Sequence, residues 1–147
     1  MNQQISNSIM IKAAPSVIWD AITRDSVLVD EDLTSISDWS RGSANDYYLN
    51  VNQSRLRIWK GKVTEAVAPY YLEQKVFSNL WKIDDVPENY LTTQYIVCPV
   101  NDSTMLTIIQ KDFTPVAHGE QRYLSAVNWW KFIMPRIKSM AEKRLTE

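Results

Sequence analysis

A single cysteine, Cys98, stands among 147 residues. No disulfide can close within the chain, and a reducing compartment fits best. Histidine is equally scarce, with His118 alone. One His and one Cys cannot supply the usual nitrogen and sulfur ligands of zinc, so no metal site is expected. A Ser-His-Asp or Cys-His device would have to be built on His118. Glycine occurs three times, and no phosphate-cradling loop or dinucleotide fingerprint is formed from it, so no cofactor is expected. Excess charge of one sign is also missing. Sixteen basic and 17 acidic residues leave a net charge of −1, which gives no electrostatic case for nucleic acid or an anionic membrane. The densest basic cluster, Arg55, Arg57, Lys60 and Lys62, reads as a solvated strand face. No apolar run approaches the ~20 residues of a membrane span. Met1-Asn2-Gln3-Gln4 has neither a basic region nor a long apolar stretch. No signal peptide is legible there, and a cytoplasmic protein is the expectation.

What is present is a single-domain length with 45% hydrophobic residues, enough for a core without staples. The most informative stretch is the last. From His118 to Glu147 the chain reads as one long amphipathic helix. At 100° per residue, Tyr123, Ala126, Val127, Trp130, Ile133, Met134, Ile137 and Ala141 share one face. A stripe of that length needs a large apolar surface beneath it, and a sheet from the preceding residues is the natural one. A sheet gripping a helix can leave a cavity between them. Pro135 projects away from the stripe, so it predicts a bend around the sheet rather than a break. Phe132 projects to the polar side without a partner legible in the sequence.

Before that helix the pattern is mostly β. Ile5, Ile9 and Ile11 alternate with polar residues in a half-buried strand that ends at Ala13-Ala14-Pro15. Pro15 suits the first position of a helix, which runs to about Thr23. Asp25 or Ser26 can cap a second short helix, with Val29, Leu33 and Ile36 at helical spacing. Strands follow at Tyr47–Val51, Arg55–Lys60, Lys62–Ala68, Tyr71–Phe77, Leu91–Cys98 and Thr104–Phe113. The second and third of these can be one long strand bulged at Gly61. Short connections make the pairing antiparallel, and residues 79–90 read as a loop.

Three motifs carry a resemblance. Ile9 through Ile22, with Ala14-Pro15 and Val17-Ile18-Trp19, matches an opening strand, an Ala-Pro turn and a first helix. Gly61-Lys62-Val63-Thr64-Glu65 with Pro69 is the second, and Trp129 through Leu145 the third. In this order they resemble the START-like, or SRPBCC, superfamily with its Bet v 1-like helix-grip fold. The nearest likeness is to the family named after the activator of the heat-shock-protein-90 ATPase. Asp46–Val51 lacks the glycines that family members commonly carry there. The resemblance implies an α+β domain over residues 1–147. A curved antiparallel sheet of six or seven strands would grip a long C-terminal helix, with two short helices beside it. It also implies a cavity for an apolar or amphipathic small molecule. It carries no universal catalytic set, so no catalytic residue is assigned.

Within that frame Trp59, Tyr95, Ile108, Trp130, Met134 and Ile137 are the expected ligand-binding wall, Tyr95 being able to donate a hydrogen bond. Trp19 reads as core, and Trp81 as a loop anchor or a lid over a pocket mouth. Arg57, Gln94, Tyr95 and Gln110 are the polar strand residues that could read a ligand. Their facing depends on where a bulge falls. Three functions are open. The first is binding of a small hydrophobic molecule. The second is a cyclase- or hydratase-type enzyme using His118, Tyr95 or a carboxylate. The third is a chaperone-associated interaction module with Phe132 exposed. The oligomeric state is not legible.

Overall fold

Strands make up most of the regular structure, and the last of them, Ser103–Lys111, buries every second side chain. The computed structural model describes residues 3–23, 33–113 and 116–143. Among them, seven strands form one antiparallel sheet. They are β1 (Ile5–Ile11), β2 (Leu33–Ser37), β3 (Ala44–Val51), β4 (Ser54–Val67), β5 (Tyr71–Ser78), β6 (Leu91–Val100) and β7 (Ser103–Lys111). Helix α1 (Pro15–Ile22) follows β1, and helix α2 (Gly119–Lys143) ends the described chain. The sheet order is β1-β7-β6-β5-β4-β3-β2. The chain thus runs as a meander from β2 to β7, and β1 adds to the far edge beside the last strand.

Local chemistry fixes the turns. Asn52 and Gln53 both take positive φ, 49° and 66°, between Val51 and Ser54, the handedness a two-residue hairpin needs. Pro15 opens α1 as expected, and the helix buries Ile18, Ala21 and Ile22. At the start of α2, a Cβ on Gly119 would sit 2.0 Å from the Phe113 carbonyl oxygen. Only glycine admits that approach.

Two expectations are corrected. Leu33 and Ile36 belong to strand β2, paired with Leu49 and Asp46 of β3, rather than to a second helix. Two apolar residues three apart are too few to establish a helical period, and pairing to β3 decides it. The first part of that expected helix, through residue 32, lies outside the described residues. The second correction concerns β4, which is one long strand whose bulges are not at Gly61. The register skips Ile58 against β3 and Thr64 against β5. Gly61 sits in regular pairing between Asn45 and Val76, and a Cβ there would lie 2.0 Å from the Lys75 carbonyl oxygen. Close strand approach, not a bulge, requires that glycine.

Helix α2 lies along the sheet and packs on β1 and α1. Its buried apolar residues are Trp130, Ile133, Met134, Ile137, Met140 and Ala141, each large one contributing about 1.5–3 kcal/mol by burial. Pro135 is exposed and the helix continues through it. Phe132, about half exposed, packs on Trp129, and the Arg136 guanidinium lies over its ring at 4.4 Å.

Candidate functional site

Between the sheet and the N-terminal half of α2 the filling stops. A partly open cavity of about 320 Å³ lies there, at the small end of the roughly 300–1,000 Å³ typical of ligand pockets. Strands β3 to β7 contribute one wall through Tyr47, Trp59, Gln74, Tyr95 and Gln110. Helix α2 contributes the opposite wall through Arg122, Ala126, Trp129, Trp130, Ile133 and Ile137. Leu80 and Trp81 of the β5–β6 loop, with exposed Ser125, form the rim.

The bulge at Ile58 matters here. Ile58 and the next residue, Trp59, join the same cluster as Tyr47, as a bulge that re-aims one side chain allows. The aromatic rings then meet edge to face across the cavity mouth. Tyr47 lies 5.7 Å from Trp59, and Trp59 lies 5.0 Å from Trp129 on the helix. Deeper in, Tyr95 meets Trp130 at 6.1 Å in the same geometry. Such pairs contribute roughly 0.5–1.5 kcal/mol beyond area burial, and here they join the helix to the sheet around a hollow.

The polar groups of the wall are tied to one another. The Trp130 indole N–H donates to Gln110 Oε1 at 3.0 Å, and Gln110 Nε2 donates to Thr93 Oγ1 at 2.9 Å. The Tyr47 hydroxyl donates to Gln74 Oε1 at 3.2 Å, and Asn45 Nδ2 donates to the same oxygen. Burial pushes the Tyr95 phenol well above its usual pKa, with Tyr47 adding to the shift and a hydrogen bond from Gln74 opposing it. Burial likewise raises Tyr47, with its neighbours Gln74 and Asn45 opposing the shift. Both phenols therefore stay protonated at neutral pH. Among the described residues the lining contains no carboxylate and no histidine.

Of the six residues expected to bind ligand, the structure brings four together. Trp59, Tyr95, Trp130 and Ile137 line the cavity. Ile108 and Met134 do not; they are buried in solid core, at 0% and 5% exposure. Ile108 pairs with Tyr95 across strands and with Asn7 of β1, yet it is outside the lining. Among the polar strand residues, Tyr95 and Gln110 face the cavity. Gln94 faces the other side, donating to Tyr71 and Glu73, while exposed Arg57 lies 3.8 Å from Asp46. His118 is exposed and outside the lining, its ring stacked on Trp81 at 5.8 Å. Trp81 is thus both rim and anchor.

No protein-family model matches the sequence, and no curated protein matches it significantly. Solved structures do match in shape. A Cytophaga hutchinsonii protein known from its solution structure is 18% identical, covers 99% of this chain and 97% of its own, and superposes with a TM-score of 0.75. A Mesorhizobium loti protein is 12% identical over 96% of this chain and 98% of its own, at 0.73. An HSP90 activator from Plasmodium falciparum is 18% identical over 74% of this chain and 72% of its own, at 0.59. The fold is the helix-grip fold. Identities this low show the fold alone.

In this helix-grip chain the wall residues missed from sequence include Arg122, Trp129, Tyr47, Gln74 and Thr93. Arg122 had a legible signal. At 100° per residue it projects about 20° from both Trp129 and Ile133, so an arginine interrupts the apolar arc. Its exposure is 3%.

Proposed function

We propose that this protein binds a small apolar or amphipathic molecule in the cavity between its sheet and helix α2. The carrying observation is a hollow walled by tryptophan and tyrosine rings, with a few convergent polar groups, in a chain otherwise filled with packed side chains. That combination is the usual composition of a small-molecule site. Trp59, Tyr95, Trp130 and Ile137 form part of the wall, and Tyr95, held protonated, can donate a hydrogen bond. The rim at Leu80, Trp81 and Ser125 is the entrance. The lining supports binding over turnover, because its described titratable groups are phenols raised in pKa and an arginine. A chaperone-associated role draws on fold likeness alone.

The test is native mass spectrometry of protein purified gently from the cells that make it, paired with Nile red titration of the same sample. An extra mass released on denaturation is the expected result, with Nile red fluorescence rising once that mass has been removed. A bare-chain mass with no dye uptake would overturn the reading.

A further inference from the structure

Simple apolar binding leaves one feature of the cavity unexplained. Among the described residues, Arg122 is the only charged side chain in the lining. Its Nη1 donates to the Asn89 carbonyl at 3.0 Å, while Nη2 is buried without a hydrogen-bond partner. None of the ion pairs among the described residues includes it. Burial lowers its pKa, with no opposing charge among the described residues to offset the effect; a guanidinium nevertheless stays protonated at neutral pH.

This arrangement is costly twice over. A buried cation without a counter-charge loses its hydration and gains little in return. Arg122 also lies in the first turn of α2, its backbone N–H bonded to the His118 carbonyl at 2.9 Å, where the helix dipole is positive and disfavours a cation. The guanidinium is nevertheless held in place. Asn89, whose carbonyl it grips, is itself fixed by an Nδ2 bond to the Asp84 carbonyl at 2.8 Å and by accepting the Ala117 N–H at 2.9 Å. A guanidinium held in place at the wall of an apolar hollow, one of its nitrogens without a partner, has the chemistry of an anion receptor.

We propose that the molecule held in this cavity is a monocarboxylate, its head group hydrogen-bonded to Arg122 and its apolar body against Trp59, Trp129 and Trp130. The inference rests on the ligand-binding reading above. One positive charge selects one negative charge. A phosphomonoester, with about −1.5 to −2 at neutral pH, would leave uncompensated charge among aromatic rings. A neutral alcohol would leave the guanidinium unpaired.

The deciding experiment titrates decanoate, decanol and decyl phosphate into the full chain at neutral pH, read by tryptophan fluorescence. Decanoate is expected to bind roughly tenfold to a hundredfold tighter than decanol, the range of a charge-assisted hydrogen bond. Arg122→Met should abolish the preference, so that decanoate binds no tighter than decanol to the same variant. Equal wild-type affinity for acid and alcohol would overturn the carboxylate assignment while leaving the cavity reading intact. Decyl phosphate binding tighter than decanoate would overturn it in favour of a dianion. No uptake of any probe would take down the ligand-binding reading and this inference together. Should Arg122→Met fail to fold, the wild-type preference decides: it must vanish as pH is lowered and the fatty acid protonates, and a preference that persists refutes the role of charge.

Discussion

The two halves of α2 cover the same sheet with opposite results. Toward its C-terminus, Met134, Met140 and Ala141 enter a solid core with Ile11, Leu106 and Ile108. Toward its N-terminus, Arg122, Ala126 and Trp129 face a hollow. Ile133 and Ile137 stand at the boundary, buried yet touching the cavity. The partners across the sheet differ in kind. Under the packed half the buried polar residue is Thr104, its hydroxyl bonded to the Ala13 carbonyl at 2.7 Å. Around the hollow, Gln74, Thr93, Gln110 and Arg122 are all buried. A buried polar group costs free energy unless it is hydrogen-bonded, so such a concentration marks where the interior serves something other than packing. An apolar stripe shows which face of a helix is covered. The polar residues opposite it show where the filling ends.

The strongest way to break this comparison is to place the same charge in each half. Met134→Asp puts a carboxylate into solid core with no partner. It is expected to cost more than about 4 kcal/mol, most of the margin of an ordinary domain, and to leave no soluble folded protein. Ala126→Asp puts the same carboxylate into the cavity, one helical turn from Arg122. It should fold, with a stability change within about 2 kcal/mol by urea denaturation. If both variants unfold, or both survive, the two halves are equivalent and the comparison fails.

That contrast explains how much was legible. The helix, its buried face and the β1, β5, β6 and β7 strands follow from period and turn chemistry, because each depends on residues near in sequence. So does the assignment of Trp130 and Ile137 to the wall. Met134 lies on the same stripe as Trp130, yet one residue meets side chains and the other meets space. No local pattern distinguishes them. The facing of Trp59 turned on a bulge at Ile58 that appears only when β3 is laid beside β4. Arg122 is the opposite case: it was visible on the helical arc and is the residue that breaks the arc's apolar character.

Filling the hollow should sharpen the comparison more gently. Ala126→Leu adds three carbons into open space at a helix position, so it should stabilise the protein by about 0.5–2 kcal/mol and weaken uptake of any cavity ligand. A mutation of equal chemistry in the packed half, Ala141→Leu at 0% exposure, should instead destabilise by about 1–3 kcal/mol through overpacking. Thermal denaturation of the pair reads the sign directly. Stabilisation by both would mean that the C-terminal half is also loosely filled.

The smallest expected effect concerns how the packed half is closed at its outer edge. Glu142 accepts the Lys12 backbone N–H at 2.8 Å and the Lys138 ammonium at 2.7 Å, and Lys138 also donates to the Met10 carbonyl at 3.0 Å. The Lys12 N–H first and Lys138 second hold the Glu142 carboxyl below its ordinary 4.5. A carboxylate whose pKa is depressed on folding adds stability that is fully present above its unfolded pKa and is lost as pH falls through the folded one. The clasp should therefore weaken only below about pH 4.5. The group is solvent-screened, so Glu142→Gln should cost no more than about 1 kcal/mol at neutral pH, with wild type and variant converging in acid. Because the cavity lies under the other half of the helix, ligand affinity at neutral pH should be the same in both. A variant that bound ligand differently would show that the packed end of α2 transmits strain to the hollow one, and that the two halves are one mechanical unit.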